Sequence, residues 1–168
     1  CFPTSSSTPL TRIILLPPFF AQLHKKLYNA SKDGSAPKVL DALKNTKGID
    51  INKGYKEPGD KKKRTPLMIA CLFNHIEVVK ILLQRPDLNI NKARVNDGVT
   101  ALITAANKGH AEIVRLLLSH SDIDINKAKG NGATALFRAS SKGHVKVVRL
   151  LVSHSGIDVN KDADADFL

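Results

Sequence analysis

The sequence predicts an all-α solenoid, in which helix-turn-helix units stack and short β-turn fingers connect them. One unit of sequence recurs about every 34 residues, as the spacing of Thr65, Thr100 and Thr134 shows. Each copy has the pattern of two short helices separated by a turn. A unit of this size cannot bury its apolar faces alone, so stacking several units is what forms a continuous core.

Three copies align directly, and a degenerate copy precedes them. All four end in a similar tail: GIDINK, DLNINK, DIDINK and GIDVNK. We therefore divide the chain into a Ser/Thr/Pro-rich leader (1–22) that we expect to be flexible, a repeat region (23–162) and an acidic tail (163–168). The repeats fall at approximately 23–53, 64–96, 97–130 and 131–162.

The first helix of each unit carries a start signal. Thr65, Thr100 and Thr134 stand where an N-cap hydroxyl accepts an unpaired helix N–H, and Pro66 follows at the first helical position. One side of this helix has the small pairs AC, AA and AS, which allow a neighbouring unit to approach closely.

The second helix follows a glycine turn. Gly109 and Gly143 end the first helix, and the runs IVRLLL and VVRLLV then present an almost continuous apolar side to the core. The DIDIN segment alternates and predicts a short extended piece before a turn. The degenerate copy has Lys44 at an otherwise apolar position, which suits an N-terminal cap facing water. The last copy is as apolar as an internal one, so we expect the chain to be a fragment of a longer polypeptide.

Charge and composition narrow the classes of partner. The chain has 26 Lys or Arg and 15 Asp or Glu, and its formal net charge of +11 favours acidic proteins, nucleic acid or an anionic membrane surface. The apolar run at 13–21 is shorter than the ~20 residues of a membrane helix, and Pro17 and Pro18 interrupt it, so we expect no transmembrane segment. The two cysteines form no disulfide framework, which favours the cytoplasm or the nucleus.

Four histidines frame two nearly identical apolar runs and raise the question of a metal site. His110 and His120 flank one run, and His144 and His154 flank the other. Equivalent positions in stacked units lie about 8–10 Å apart and the two ends of one such helix about 15 Å apart, whereas zinc ligands converge at about 2.0–2.1 Å. No nucleophile, phosphate-loop or dinucleotide motif is present. We therefore expect no metal, no cofactor, no catalytic residue and no enzyme activity.

The segments TPLMIA, TALITA and TALFRA, with the GH-type turns and apolar helices that follow, resemble the ankyrin repeat family. The resemblance covers residues 25–161, although the His of the family signature is absent from all three segments. It implies a non-catalytic module that binds other proteins. It also implies a structural hydrogen-bonding role near the helix turn for His75, His110 and His144.

By the same resemblance, a partner contacts the finger tips and the exposed side of the first helices on the concave face. The helix positions are Leu72, Phe73, Asn107, Lys108, Ser141 and Lys142. The finger positions are Arg94, Val95 and Asn96 with Asp97 and Val99, then Lys129 and Asn131 with Ala133. Leu72 and Phe73 replace polar residues and form an apolar anchor if they are exposed; alternatively, Phe73 packs under the first finger.

The first finger is enlarged by the insert GYKEPGDKKKR, which carries Tyr55, Lys56, Lys61, Lys62 and Lys63. One interpretation is a solvated loop, because charge runs are usually solvated. The other is a recognition loop, in which Tyr55 and the basic run bind an acidic partner. A lysine also follows each repeat tail, and stacking would align these lysines into a basic stripe: Lys53, Lys92, Lys127 and Lys161.

Three hypotheses for function remain. The favoured one is a monomeric module that binds a protein with an acidic patch. In the second, the basic face binds nucleic acid or anionic lipid, and in the third the chain targets a larger enzyme or channel of which it is a part. The resemblance adds a minor hypothesis, that an asparaginyl hydroxylase modifies Asn91, Asn126 or Asn160.

Overall fold

The computed structural model describes residues 17–44 and 49–161. The predicted acidic tail and the leader up to residue 16 lie outside the described residues. The described part forms eight helices and no sheet, which confirms the all-α class. The helices are α1 (Pro17–Lys32), α2 (Ala36–Lys44), α3 (Pro66–Leu72), α4 (Ile76–Leu83), α5 (Ala101–Lys108), α6 (Ala111–Leu118), α7 (Ala135–Ser141) and α8 (Val145–Val152).

The helices form two layers, as a solenoid requires. The odd-numbered helices pack in series in one layer and the even-numbered helices in the other, and each odd helix also packs on the even helix that follows it. The core lies between the layers and runs from Leu27 and Val39 at one end to Leu151 at the other. Ala105 and Ala106 are fully buried, so the small residues of α5 do lie where neighbouring repeats approach.

The first helix begins earlier than the predicted boundary of the leader. Residues 17–22, which the sequence places in the leader, form the start of α1. Pro17 and Pro18 occupy its first positions, where a missing N–H leaves no intrahelical bond unmade. The two prolines therefore start a helix here instead of only interrupting an apolar run. Within the described residues, no helix is both long and apolar enough to cross a membrane.

Thr65, Thr100 and Thr134 occupy the N-cap positions at which the sequence places them. In each case Oγ1 accepts the backbone N–H three residues further on, at 3.2 Å. Pro66 follows Thr65 in the first turn of α3. These caps fix where the first helix of a repeat begins, and with it where the preceding finger ends.

The tail of each repeat contains the predicted turn, and the residues just before that turn belong to no strand in the part of the chain that the structure describes. The Asp124 carboxylate accepts the backbone N–H of Asn126 at 3.2 Å, which closes a local turn. The carboxamide of Asn126 then bridges to the following tail, donating to a carbonyl at 2.7 Å and accepting an N–H at 2.8 Å. Asn52 and Asn91 make equivalent pairs of bonds. Hydroxylation of Asn91, Asn126 or Asn160 stays a prediction.

Candidate functional site

Three histidines join neighbouring repeats. Each stands at the start of a second helix and donates its Nε2–H to a carbonyl at the end of the first helix of the preceding repeat. The pairs are His75 with Lys32 at 2.7 Å, His110 with Leu72 at 3.4 Å and His144 with Asn107 at 3.1 Å. Helix ends leave carbonyls unpaired, and a carbonyl only accepts, so Nε2 carries the proton. These histidines therefore connect the stack, and their Nε2 atoms are not available as metal ligands.

The glycine before such a joint must leave room for the histidine of the next repeat. Gly34 and Gly109 have φ of 71° and 75°, and a Cβ at these positions would lie 2.4 Å from Nδ1 of His75 and 2.7 Å from Nδ1 of His144. Gly143 has a similar φ of 70°, but nothing lies within 4 Å of a Cβ there. At these two internal joints glycine therefore provides both the backbone conformation and the space that the histidine occupies.

Asn74 stands where the other internal joints have glycine. Its φ is 61°, in the left-handed region that disfavours side chains. At this joint the His110 bond of 3.4 Å is the longest of the three. The middle joint therefore combines a strained residue with a weak hydrogen bond.

We expect Asn74→Gly to raise the free energy of unfolding by about 0.5–1 kcal/mol, because glycine adopts positive φ without steric cost. The control Asn74→Ala is expected to lower it by roughly 1 kcal/mol, since alanine lacks the tolerance of asparagine for this conformation. Urea unfolding measures both variants. A glycine variant no more stable than the parent chain would contradict this account of the joint.

The other histidines have local roles. His120 and His154 are half-buried in the loops after α6 and α8, and Nδ1 of each accepts the backbone N–H two residues further on at 3.2 Å. Burial, as the main cause, lowers the pKa of His110, and burial raises the pKa of the Cys71 thiol. In the part of the chain that the structure describes, no group of three or more His, Cys, Asp or Glu could hold a metal ion.

Three fingers stand in a row ahead of α3, α5 and α7. The first closes between Tyr55 and Arg64, which exchange two backbone hydrogen bonds of 2.9 Å. The second and third close at 94–99 and 129–133 through backbone bonds of 2.9 and 3.1 Å. Hydrogen bonds of 3.3 and 2.9 Å also link the first finger to the second and the second to the third. The fingers therefore form one connected edge of the molecule.

The first finger is held against α1. The ring of Tyr55 packs on the buried ring of Tyr28, with centroids 5.0 Å apart, and Glu57 pairs with Lys32 at 2.6 Å. The half-buried ring of Tyr55 therefore holds the finger against α1, and its role in binding a partner stays a prediction. The exposed basic residues of this finger are Lys56, Lys61, Lys62 and Lys63.

A groove of about 250 Å³ lies between the fingers and the first helices. Its basic residues are Lys62, Arg64, Arg94, Lys129 and Arg138, and its one acidic residue is Asp97. Leu72, Val99 and Ile103 form an apolar wall, and Thr104 and Asn107 complete the lining.

Carboxylates neutralise two of the groove arginines. Arg94 binds Asp97 through two guanidinium nitrogens, with Nε 2.6 Å from Oδ1, and this hydrogen bond holds the pKa of Asp97 below its usual range. Arg64 pairs with Asp60 through one nitrogen, Nη1, and the pKa of Asp60 is lowered chiefly by that bond. These two ion pairs stabilise the first and second fingers, and in each pair the carboxylate neutralises the charge of the arginine.

Arg138 has a neutral partner instead. Its Nε and Nη2 donate to Oδ1 of Asn107 at 3.1 and 2.6 Å. Within the described residues, Arg138, Lys62 and Lys129 make no ion pair. The groove therefore combines three uncompensated positive charges with an apolar wall.

The predicted partner-binding residues divide between the groove and the surface around it. Those that line the groove are Lys62, Leu72, Arg94, Asp97, Val99, Asn107 and Lys129. Asn131 is half-buried in the third finger, and the exposed residues outside the groove are Lys56, Lys61, Lys63, Phe73, Val95, Asn96, Lys108, Ser141 and Lys142. Phe73 is 47% exposed, with its ring centroid 6.1 Å from that of His75, and Leu72 is half-buried, so the apolar anchor stays a prediction. Whether the tail lysines act as a basic stripe stays a prediction.

Sequence reasoning missed three residues of the groove, Ile103, Thr104 and Arg138, as binding positions. Arg138 occupies the fifth position of TALFRA, where the other copies have Ile69 and Thr104. A charge at a position that otherwise holds an apolar or hydroxyl side chain is the signal that could have identified it.

The family model described as ankyrin repeats (3 copies) matches residues 24–94 and 85–163. These two matches span most of the chain, including all four helix pairs. No curated protein sequence matches the chain significantly.

Proposed function

Since the chain belongs to the ankyrin repeat family, whose members are generally protein–protein interaction modules, we propose that it binds an acidic partner protein through the groove and the fingers. The observation that carries the proposal is the groove itself. It has three cations without carboxylate partners among the described residues, next to Leu72, Val99 and Ile103. A surface of this kind attracts a partner by charge and retains it by apolar contact.

The size of the groove favours side chains of a protein over a small-molecule substrate. Its volume of about 250 Å³ is below the ~300–1,000 Å³ typical of small-molecule sites, so it takes one or two side chains of a larger partner. The neighbouring run of exposed lysines in the first finger extends the positive surface beyond the groove. Its field raises the rate at which an acidic partner meets the groove.

The test is a pull-down that compares the parent chain with a variant in which Lys61, Lys62 and Lys63 are serine. We expect the variant to lose the acidic partners. The control replaces three exposed lysines of the even-numbered helices with serine, which changes the net charge equally: Lys38, Lys44 and Lys146. Partners that persist in the first variant, or disappear equally from the control, would remove the basic finger from the proposal.

The same experiment separates a protein partner from nucleic acid or anionic lipid. Nuclease treatment and added phospholipid vesicles are expected to leave the captured protein in place. Binding that falls steeply with salt and is competed by nucleic acid would favour the nucleic-acid hypothesis instead, because phosphate contacts release counterions.

A further inference from the structure

We propose that Arg138 is the anion anchor of the groove, and that it binds the carboxylate of an Asp or Glu in an acidic segment of the partner protein. An apolar side chain of the same segment then lies against Leu72 and Val99. This inference rests on the proposed function and specifies the chemistry of its ligand.

The guanidinium of Arg138 is positioned without being neutralised. Asn107 in α5 accepts two of its N–H groups, at 3.1 and 2.6 Å, across the boundary between two repeats. A guanidinium has five donors, so three remain for a ligand. Because the partner is an amide, the full positive charge also remains. Arg94 and Arg64 differ in charge, since the carboxylates of Asp97 and Asp60 already neutralise them.

The surroundings of Arg138 select an anion with an apolar neighbour. Lys62 and Lys129 add positive charge to the same groove, and the oxygens of its one acid, Asp97, already accept from Arg94. Leu72 belongs to the apolar wall of the groove. It is half-buried and offers apolar surface to a ligand. A planar, doubly accepting carboxylate matches the remaining donor geometry of one arginine.

The number of free arginines favours a carboxylate over a phosphate group. Phosphorylated segments are typically bound by clusters of arginines. Here Arg64 and Arg94 are committed to carboxylates of the chain itself, so only one guanidinium of the groove is free. One free guanidinium with two neighbouring lysines suits the singly charged carboxylate of an Asp or Glu side chain.

The test begins with selection of random linear peptides on the full chain, on Arg138→Gln and on Arg149→Gln. Arg149 is an exposed residue of α8, so its replacement removes the same charge away from the groove. We expect the parent chain and Arg149→Gln to enrich peptides with an acidic residue near an apolar one. Arg138→Gln is expected to lose the acidic preference. Failure to enrich acidic peptides on the parent chain would overturn the inference.

The dissociation constant of the tightest selected peptide is then measured. It is compared with that of a twin peptide in which the Asp or Glu is replaced by Asn or Gln. On the parent chain we expect the twin to bind about tenfold or more weakly, the scale of a charge-assisted hydrogen bond. On Arg138→Gln we expect the affinities of the two peptides to differ by no more than about threefold. The losses of affinity from changing Arg138 and from changing the acidic residue of the peptide are then not additive. A twin that binds as well as the acidic peptide, or an equal loss on both arginine variants, would contradict the anchor.

A second variant, Asn107→Asp, keeps the hydrogen bonds to Arg138 and neutralises its charge. It is expected to weaken the acidic peptide by a similar factor while leaving the unfolding midpoint within the range of the parent chain. A phosphoserine peptide that binds more than tenfold tighter than the acidic one would reassign the site and overturn the carboxylate. If replacing Arg138 has no effect on acidic peptides but replacing Lys61, Lys62 and Lys63 still abolishes partner binding, the anchor is wrong. The broader proposed function then stands.

Discussion

The variant Gly109→Ala is expected to lower the free energy of unfolding by about 2–4 kcal/mol. Alanine at a φ of 75° costs about 1–2 kcal/mol of backbone strain. Its Cβ would also lie 2.7 Å from Nδ1 of His144, so the ring has to move and its 3.1 Å bond to the Asn107 carbonyl is weakened or lost. Because this bond is only part-buried, its disruption adds about 1–2 kcal/mol. Urea unfolding followed by circular dichroism measures the sum.

The matched control is Gly143→Ala, in the same Gly-His sequence context. Its φ of 70° gives a similar strain, but nothing lies within 4 Å of the new Cβ, so we expect a loss of only about 1–2 kcal/mol. The double variant Gly109→Ala with His144→Ala removes the clash and should cost less than the two single changes together. Equal effects at Gly109 and Gly143, or full additivity, would show that the histidine does not require the space.

The features that sequence predicted are those determined within one repeat. A threonine cap acts over three residues, and a glycine with positive φ ends a helix at its own position, so both are visible in the printed chain. The spacing of the repeated threonines showed the length of the repeat, and a repeat of that length predicts a stack of helix pairs. The apolar run at the start of α1 was ambiguous, because prolines both interrupt and begin helices, and periodicity does not distinguish the two.

The features that sequence missed depend on contacts between repeats. Arg138 and Asn107 are 31 residues apart, and only the stacking of α5 on α7 shows that an amide holds the guanidinium. The ring of Tyr55 likewise packs on Tyr28 of another repeat, a support for the finger that the sequence does not reveal. Composition identified a basic surface, but it could not show which charges are already neutralised.

Leu117→Ala and Leu151→Ala are expected to cost about 2–5 kcal/mol each, yet to change unfolding in different ways. Both side chains are fully buried and occupy equivalent positions in α6 and α8. In the described part, α6 packs between α4 and α8, whereas α8 has only α6 as a neighbour in its layer. The first cavity therefore weakens an internal repeat, and the second weakens the end of the stack.

In a linear array each repeat is stabilised by its neighbours, so an internal defect lowers the stability of the repeats on both sides. For Leu117→Ala we expect faster amide hydrogen exchange in α3 to α8. For Leu151→Ala we expect faster exchange in α7 and α8 at low denaturant, with α3 and α4 close to the parent chain. Mass spectrometry of peptides from each helix pair resolves these patterns. If both cavities accelerated exchange uniformly, the chain would unfold as one cooperative unit, and coupling limited to neighbouring repeats would be wrong.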